Sequence, residues 1–281
     1  MRAKFIYWTR LGLGAVAVGS AAACGGTDAA QHESTEAAPV EAAAMKDLDL
    51  RQAVEGEGGE SGEGGIDADL AATDAIVFGQ ALAVAEAHIR AANDAYAAGE
   101  KDAATEMFGH PVGEVLADME DVFAAQGVGD LTQMFLDASD AAYQRVSTDE
   151  LGTRSKEMLE ALAEAGLKAP DDGRAAGIVA VSIVADQIER SANMYREAKE
   201  SDRYEPYLDG YGFYKTAAAT YETNKSAIAA DAGSAVGAIE AVLGLLDTAY
   251  PSAGRGGTLD KNPAELAAAS SRIQLALSSL E

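Results

Sequence analysis

The chain has 281 residues, one cysteine and a formal net charge of −25. A lone cysteine excludes an intramolecular disulfide framework. The acidity excludes nucleic acid and anionic membrane surfaces as favourable partners, while cations and basic ligands are tolerated. The same charge would also simply keep a secreted protein soluble.

The N-terminus "MRAKFIYWTR" carries Arg2, Lys4 and Arg10 and no acid, and "LGLGAVAVGSAAA" follows as a short run of small apolar residues. The run is too short to span a bilayer and has the layout of a secretory signal. It ends in Ala21-Ala22-Ala23-Cys24, which resembles a bacterial lipoprotein signal, with Ala21 where leucine is usual. That resemblance implies a signal peptide over 1–23 and Cys24 as the acylated, palmitate-bearing first residue of the mature chain. Gly25 in the next position implies the outer rather than the inner membrane, with the protein facing the periplasm. The alternative is an ordinary secretory signal beside a coincidental cysteine. Cleavage before Cys24 removes Arg2, Lys4 and Arg10, taking the charge from −25 to −28.

Residues 24–70 read as a tether. Between 25 and 70 twelve acids face only Lys46 and Arg51, and "VEGEGGESGEGGIDADL" has almost nothing to bury. Such a segment cannot offset its conformational entropy, so a disordered, extended acidic linker is expected.

The body, 71–281, reads as all-α. Alanine is abundant, proline rare and strand-like alternation absent. The pattern predicts helices near 73–98, 102–124, 130–147, 149–166, 172–199, 203–229, 232–248 and 262–280, separated by "AAGEKD", "AAQGVGD", "AGLKAPDD", "AKESDR" and "YPSAGRGGTLDKNP". Asp102, Asp130, Thr148 and Asn262 are the expected N-caps, with Pro263 at a first helical position. Short connections make neighbours antiparallel, giving a helical bundle or two sub-bundles, 71–167 and 172–281. A shift of 99 residues superposes two hairpins: Tyr96 falls on Tyr195, Phe108 on Tyr207, Ile89 on Ile188 and Gly113 on Gly212. Pro111 and Gly210 then weaken the two second helices at matching heights. Duplication and chance identity in alanine-rich helices are both open.

In the first helix Phe78, Ala81, Ala85, His88, Ala92 and Tyr96 recur at steps of three and four, so His88 belongs to the apolar stripe. Folding the hairpin about Gly99 sets His88 opposite His110 and Pro111. Glu114 shares the face of His110 at i+4. Pro111 has no amide for the Met107 carbonyl, so the helix must kink or restart there, and Gly109 and Gly113 leave space beside it. Three readings of the pair are open. In the first, His88, His110 and Glu114 bind a divalent transition metal (zinc, copper or iron), with Glu86 or Asp118 completing the ligand set. In the second, the histidines line a pocket for an organic ligand. In the third, His88 is a core histidine bonded to a carbonyl and His110 caps the restarted helix, with no cofactor.

The second hairpin carries Tyr204, Tyr207, Tyr211, Tyr214 and Tyr221 on one face. Buried tyrosines need hydroxyl partners, for which Asp186, Gln187 and Asp209 are expected. The stripe is either a tyrosine-rich core or a groove, at Tyr207, Asp209, Tyr211 and Tyr214, for an apolar ligand with a polar head. No catalytic constellation is legible. A mature chain with Cys24 acylated has no thiol nucleophile, and there is no phosphate loop after a strand and no G-x-S-x-G elbow.

The Gly/Glu spacer, the histidine-bearing first helix, "AYAAGEKDAA", "GHPVGE" and "GFYKTAAATY" resemble a group of uncharacterised helical proteins of Gram-negative bacteria, which carries no activity over. Gly109-His110-Pro111-Val112-Gly113-Glu114 is similar to the G-x-H-x-x-E motif of imelysin-like lipoproteins and periplasmic iron-uptake proteins, with both spacings different by one. That family consists of packed helical bundles with a metal or peptidase role. No 34-residue period is present. The sequence therefore predicts a lipid-anchored envelope protein that binds a metal ion or small ligand and serves a transport or homeostasis partner. The alternatives are an imelysin-like metallohydrolase with His88, His110 and Glu114 as ligands, and a non-catalytic scaffold or adaptor lipoprotein.

Overall fold

The computed structural model describes residues 65–278 except 202, 255, 257 and 258. The expected signal peptide, Cys24 and the expected tether up to residue 64 lie outside the described residues. The described chain is helical and contains no strand, as an all-α bundle requires. No helix among the described residues is long and apolar enough to cross a membrane.

In chain order the helices are α1 (Ala68–Ala71), α2 (Ala75–Ala98), α3 (Lys101–Pro111), a π-helical turn (Val112–Leu116), α4 (Glu120–Ala125), α5 (Leu131–Tyr143), α6 (Thr148–Gly166), α7 (Ala176–Ser201), α8 (Glu205–Asp231), a 3-10 turn (Gly233–Ala235), α9 (Val236–Ala249) and α10 (Pro263–Leu277). The tether expected to run to residue 70 gives way earlier, because Asp67 caps α1 through the Leu70 amide and Ala71 is buried. Asp74 caps α2 by accepting from the Ile76 and Val77 amides, and Gly99 ends it at φ 95°, a conformation that favours glycine. Asp130 and Asn262 cap α5 and α10 as expected. Two expected caps are corrected. Ser147, not Thr148, holds the Glu150 amide at the start of α6. Asp102 lies inside the first turn of α3 and pairs with Arg145.

α2 is the hub. It packs against α1, α3, α6, α7 and α8, and its alanines let those neighbours approach closely. The closest approach is from α8. A Cβ at Gly212 would fall 2.9 Å from the carbonyl carbon of Ala87 and 3.0 Å from the Cβ of Ala91. α8 is also uninterrupted at Gly210, where the absent side chain makes room for Tyr250, whose hydroxyl reaches the Ser191 carbonyl at 2.7 Å. One continuous hydrophobic core contains residues from both 71–167 and 172–281. Tyr96 and Ile89 in α2, and Tyr195 and Ile188 in α7, are all buried. Gly113 faces open space, whereas Gly212 is wedged against α2.

Candidate metal centre

The stripe Phe78, Ala81, Ala85, His88, Ala92, Tyr96 is buried along its length, so His88 faces the interior with 2% of its surface exposed. The hairpin about Gly99 brings His110 to it, with ring centroids 5.8 Å apart and planes at 70°. Pro111 ends α3. Lacking an amide for the preceding turn, it is followed by the wider π turn, closed by the Ala117 amide on the Val112 carbonyl at 3.1 Å. Glu114 sits in that turn. Its Oε2 is 3.3 Å from His88 Nε2 and its Oε1 3.7 Å from His110 Nδ1. Gly109 and Gly113 have no neighbour within 4 Å of where a Cβ would lie. The space they leave is therefore on the outside of the turn, not around the histidines.

The third wall is α8. Asp209, buried to 3% exposure, places Oδ1 3.6 Å from His88 Nε2 and 4.0 Å from His110 Nδ1. Glu205, one turn earlier, lies 3.8 Å from His110 Nε2. His88, His110 and Asp209 each offer a ligand atom, all within 4.8 Å of one another. Donors bound at about 2.1 Å in a tetrahedral arrangement stand about 3.4 Å apart. The carboxylate–histidine separations here, 3.3–4.0 Å, are close to that spacing. The cluster of His88, His110 and Asp209 could hold a metal ion.

The chemistry of His88 sharpens the point. Its Nδ1 lies 2.8 Å from the Val84 carbonyl, which only accepts, so the ring proton belongs on Nδ1. Nε2 then presents a lone pair to two carboxylates. His88 Nε2, His110 Nδ1 and Glu114 Oε2 are buried and make no hydrogen bond. Of these, His88 Nε2 and Glu114 Oε2 face one another at 3.3 Å as two acceptors, which is unfavourable without a proton or cation between them. Protonating His88 is no easy remedy. Burial depresses it from 6.5 to about 4, against the opposing pull of the Val84 bond, and the positive charges of His110 and Arg190 add to the depression. Burial is also the main influence on Glu114, raising its carboxyl, with Glu205 adding to the rise and His110 and Arg190 opposing it. Arg190 bonds Asp186 at 2.9 Å and lies over the Phe213 ring, which packs edge-on against His88.

Several expected roles are corrected. Glu86 turns to Arg90, 2.7 Å away and one turn along α2, and does not join the cluster. Asp118 is exposed. Asp209 lies beside the histidines, and the stripe's hydroxyls are bonded elsewhere. The stripe's hydroxyls find partners beyond α7. Tyr204 reaches the Ala253 carbonyl, Tyr207 the Ser252 carbonyl, Tyr211 Asp94, Tyr214 Asp247 and Tyr221 Glu240. Asp186 instead accepts from Arg190 and from the Gln187 amide. Tyr207, Tyr211 and Tyr214 are accordingly buried core residues. Tyr207 also lines a cavity of about 380 Å³, with Tyr195, Thr248, Leu259 and Lys261. Glu205 carries no sequence signal beyond lying one turn before Asp209 on the tyrosine-bearing helix.

Compared with known proteins, the chain matches no protein-family model, no curated protein and no solved structure. The chemistry of the centre rests on its own geometry.

Proposed function

We propose that the protein captures a divalent transition-metal ion, of the class of zinc, copper or iron, through His88, His110, Asp209 and Glu114. In this reading a helical domain hangs from an acylated Cys24 on the periplasmic side of the outer membrane and serves an envelope metal transport or homeostasis system. The observation that carries the metal reading is the lone pair of His88 Nε2, 98% shielded from water and aimed at two carboxylates. Its other nitrogen donates to a backbone carbonyl, which is the usual outer support of a metal-bound histidine. The bound ion would accept that lone pair and neutralise the buried carboxylates. The chain's negative charge favours cation arrival over the surface.

The test is native mass spectrometry and elemental analysis of the full chain, purified without chelator. One metal equivalent, absent from His88→Ala and retained in Glu86→Gln, is expected. A bare chain that still takes up no Zn²⁺, Cu²⁺ or Fe²⁺ at micromolar concentration would overturn the proposal. It would leave a Glu114 proton as the group between the carboxylate and His88.

A further inference from the structure

The donors form a graded path from the surface inwards. Side-chain exposure falls from 44% at Glu205 to 22% at His110, 16% at Glu114, 2% at His88 and 1% at Asp209. His110 stands in the middle with its two nitrogens facing opposite ways. Nε2 faces Glu205 at 3.8 Å, and Nδ1 faces Glu114 at 3.7 Å and Asp209 at 4.0 Å. The two histidines are also held differently. The Val84 carbonyl fixes the ring of His88. Among the described residues no hydrogen bond fixes either nitrogen of His110, and its ring adjoins the π turn that interrupts the helix. Only one oxygen of Glu205 faces this ring, while the other lies 3.8 Å from Arg203, itself 54% exposed.

Resting on the metal reading above, we infer that Glu205 is the surface capture ligand of the centre and that His110 passes the ion inwards, from Nε2 and Glu205 to Nδ1 and the buried donors. The transfer is a ligand exchange. Water leaves the ion as Glu205 and Nε2 bind it. The bonds to Glu205 and Nε2 then break as Asp209, Glu114 and His88 bind the ion. Nδ1, which already faces the two carboxylates, gives its proton to water and binds the ion, while Nε2 takes a proton back from water. No electron moves. Glu205 is absent from the final shell, so it governs the rate in both directions and not the equilibrium. A carboxylate at a helix N-terminus can instead serve only to complement the helix dipole, and that role predicts no such kinetic effect.

The experiment is stopped-flow uptake of Zn²⁺ by the full chain, with release followed into a fluorescent chelator. Glu205→Gln is expected to slow uptake and release alike by about tenfold while the dissociation constant stays within about threefold, and Glu205→Asp restores the rate. Glu106→Gln removes an equal exposed charge one turn before His110 and should leave the rate unchanged, which separates a ligand role from general charge steering. Full occupancy at wild-type rates in Glu205→Gln would overturn the capture role and spare the metal centre. A loss of affinity with release unchanged would also overturn it. No Zn²⁺ binding by the wild-type chain would overturn both.

Discussion

Gly212→Ala tests the geometry on which the centre depends. The new Cβ would lie 2.9 Å from the Ala87 carbonyl carbon and 3.0 Å from Ala91 Cβ, and nearer still to the Ala87 carbonyl oxygen. Carbon contacts are comfortable at about 3.5 Å or more, and the oxygen is closer than the carbon, so α8 must retreat from α2 by at least about 0.6 Å. The obstacle is helix backbone and cannot swing aside. Asp209 is one turn from Gly212 and would retreat from His88 with it. Ligand sets tolerate displacements of about 0.5 Å, so the shift exceeds what the site can absorb. Overpacking should cost about 1–3 kcal/mol of stability, and Zn²⁺ affinity should fall about 10- to 100-fold, as for lost supporting interactions around other metals. Gly244→Ala is the control. It faces open space on α9 and should instead stabilise by about 0.5–1 kcal/mol without touching affinity. Thermal denaturation of the chelator-treated chain gives the first quantity and competitive calorimetric titration the second. Gly212→Ala with wild-type affinity would refute the claim that the α2–α8 spacing sets the donor positions.

The remaining expectations concern the frame around the centre. Tyr211→Phe removes the bond to Asp94 (2.7 Å) and should cost about 1 kcal/mol in urea denaturation, with metal affinity unchanged. At Asp172 burial works against ionisation, but the amides of Arg174 and Ala75 and the Arg174 guanidinium hold its carboxyl below the usual range. Its contribution is thus present above that range and lost as pH falls through it. Asp172→Asn should lower the melting temperature by about 2–4 °C at neutral pH, and the difference should close in acid. Burial, reinforced by the bond to Asp247, pushes Tyr214 up to about 12, and burial first and Asp94 second lift Tyr211 further. These phenols favour the native state fully below pH 10, and that stability is lost between about 10 and 12. A spectrophotometric titration should show Tyr211 and Tyr214 ionising only with alkaline unfolding. Ionisation of Tyr214 near pH 10 with the helical signal intact would contradict its burial.

Elements separated by turn residues were readable, and so were pairs within one hairpin. The stops at Gly99, around Gly129 and before Pro170 bound helices close to their observed limits, because backbone chemistry decides them locally. His88 and His110 meet because equal counts on either side of Gly99 place them level, and Glu114 follows from helical spacing. Asp209 was legible as a buried polar group but not as a member of the cluster. Its approach depends on Gly212 wedging against Ala87, a contact between segments more than a hundred residues apart in a chain with 29 glycines. The tyrosine hydroxyls misled for a related reason. A long side chain on α8 passes its sequence neighbour α7 and ends on α2, α9 or the connection after α9, none of which periodicity can place. Glu86 shows the reverse error: it lies two residues from His88, yet a helix turns such positions to different faces.

The hub position of α2 has a consequence for how the molecule can be cut. Three of the four proposed donors lie between 88 and 114, which suggests the first hairpin as a minimal binding fragment. That fragment would have no interior of its own. The face of α2 carrying Ala87 and Ala91 would lie bare where α8 now covers it, and removing the first half instead would take away the helix on which α7 and α8 rest. Because one hydrophobic core joins the two halves, the described bundle is expected to unfold in a single transition, which coincident thermal and urea curves from two probes would check. A miniature built from this protein must carry α8 with the hairpin.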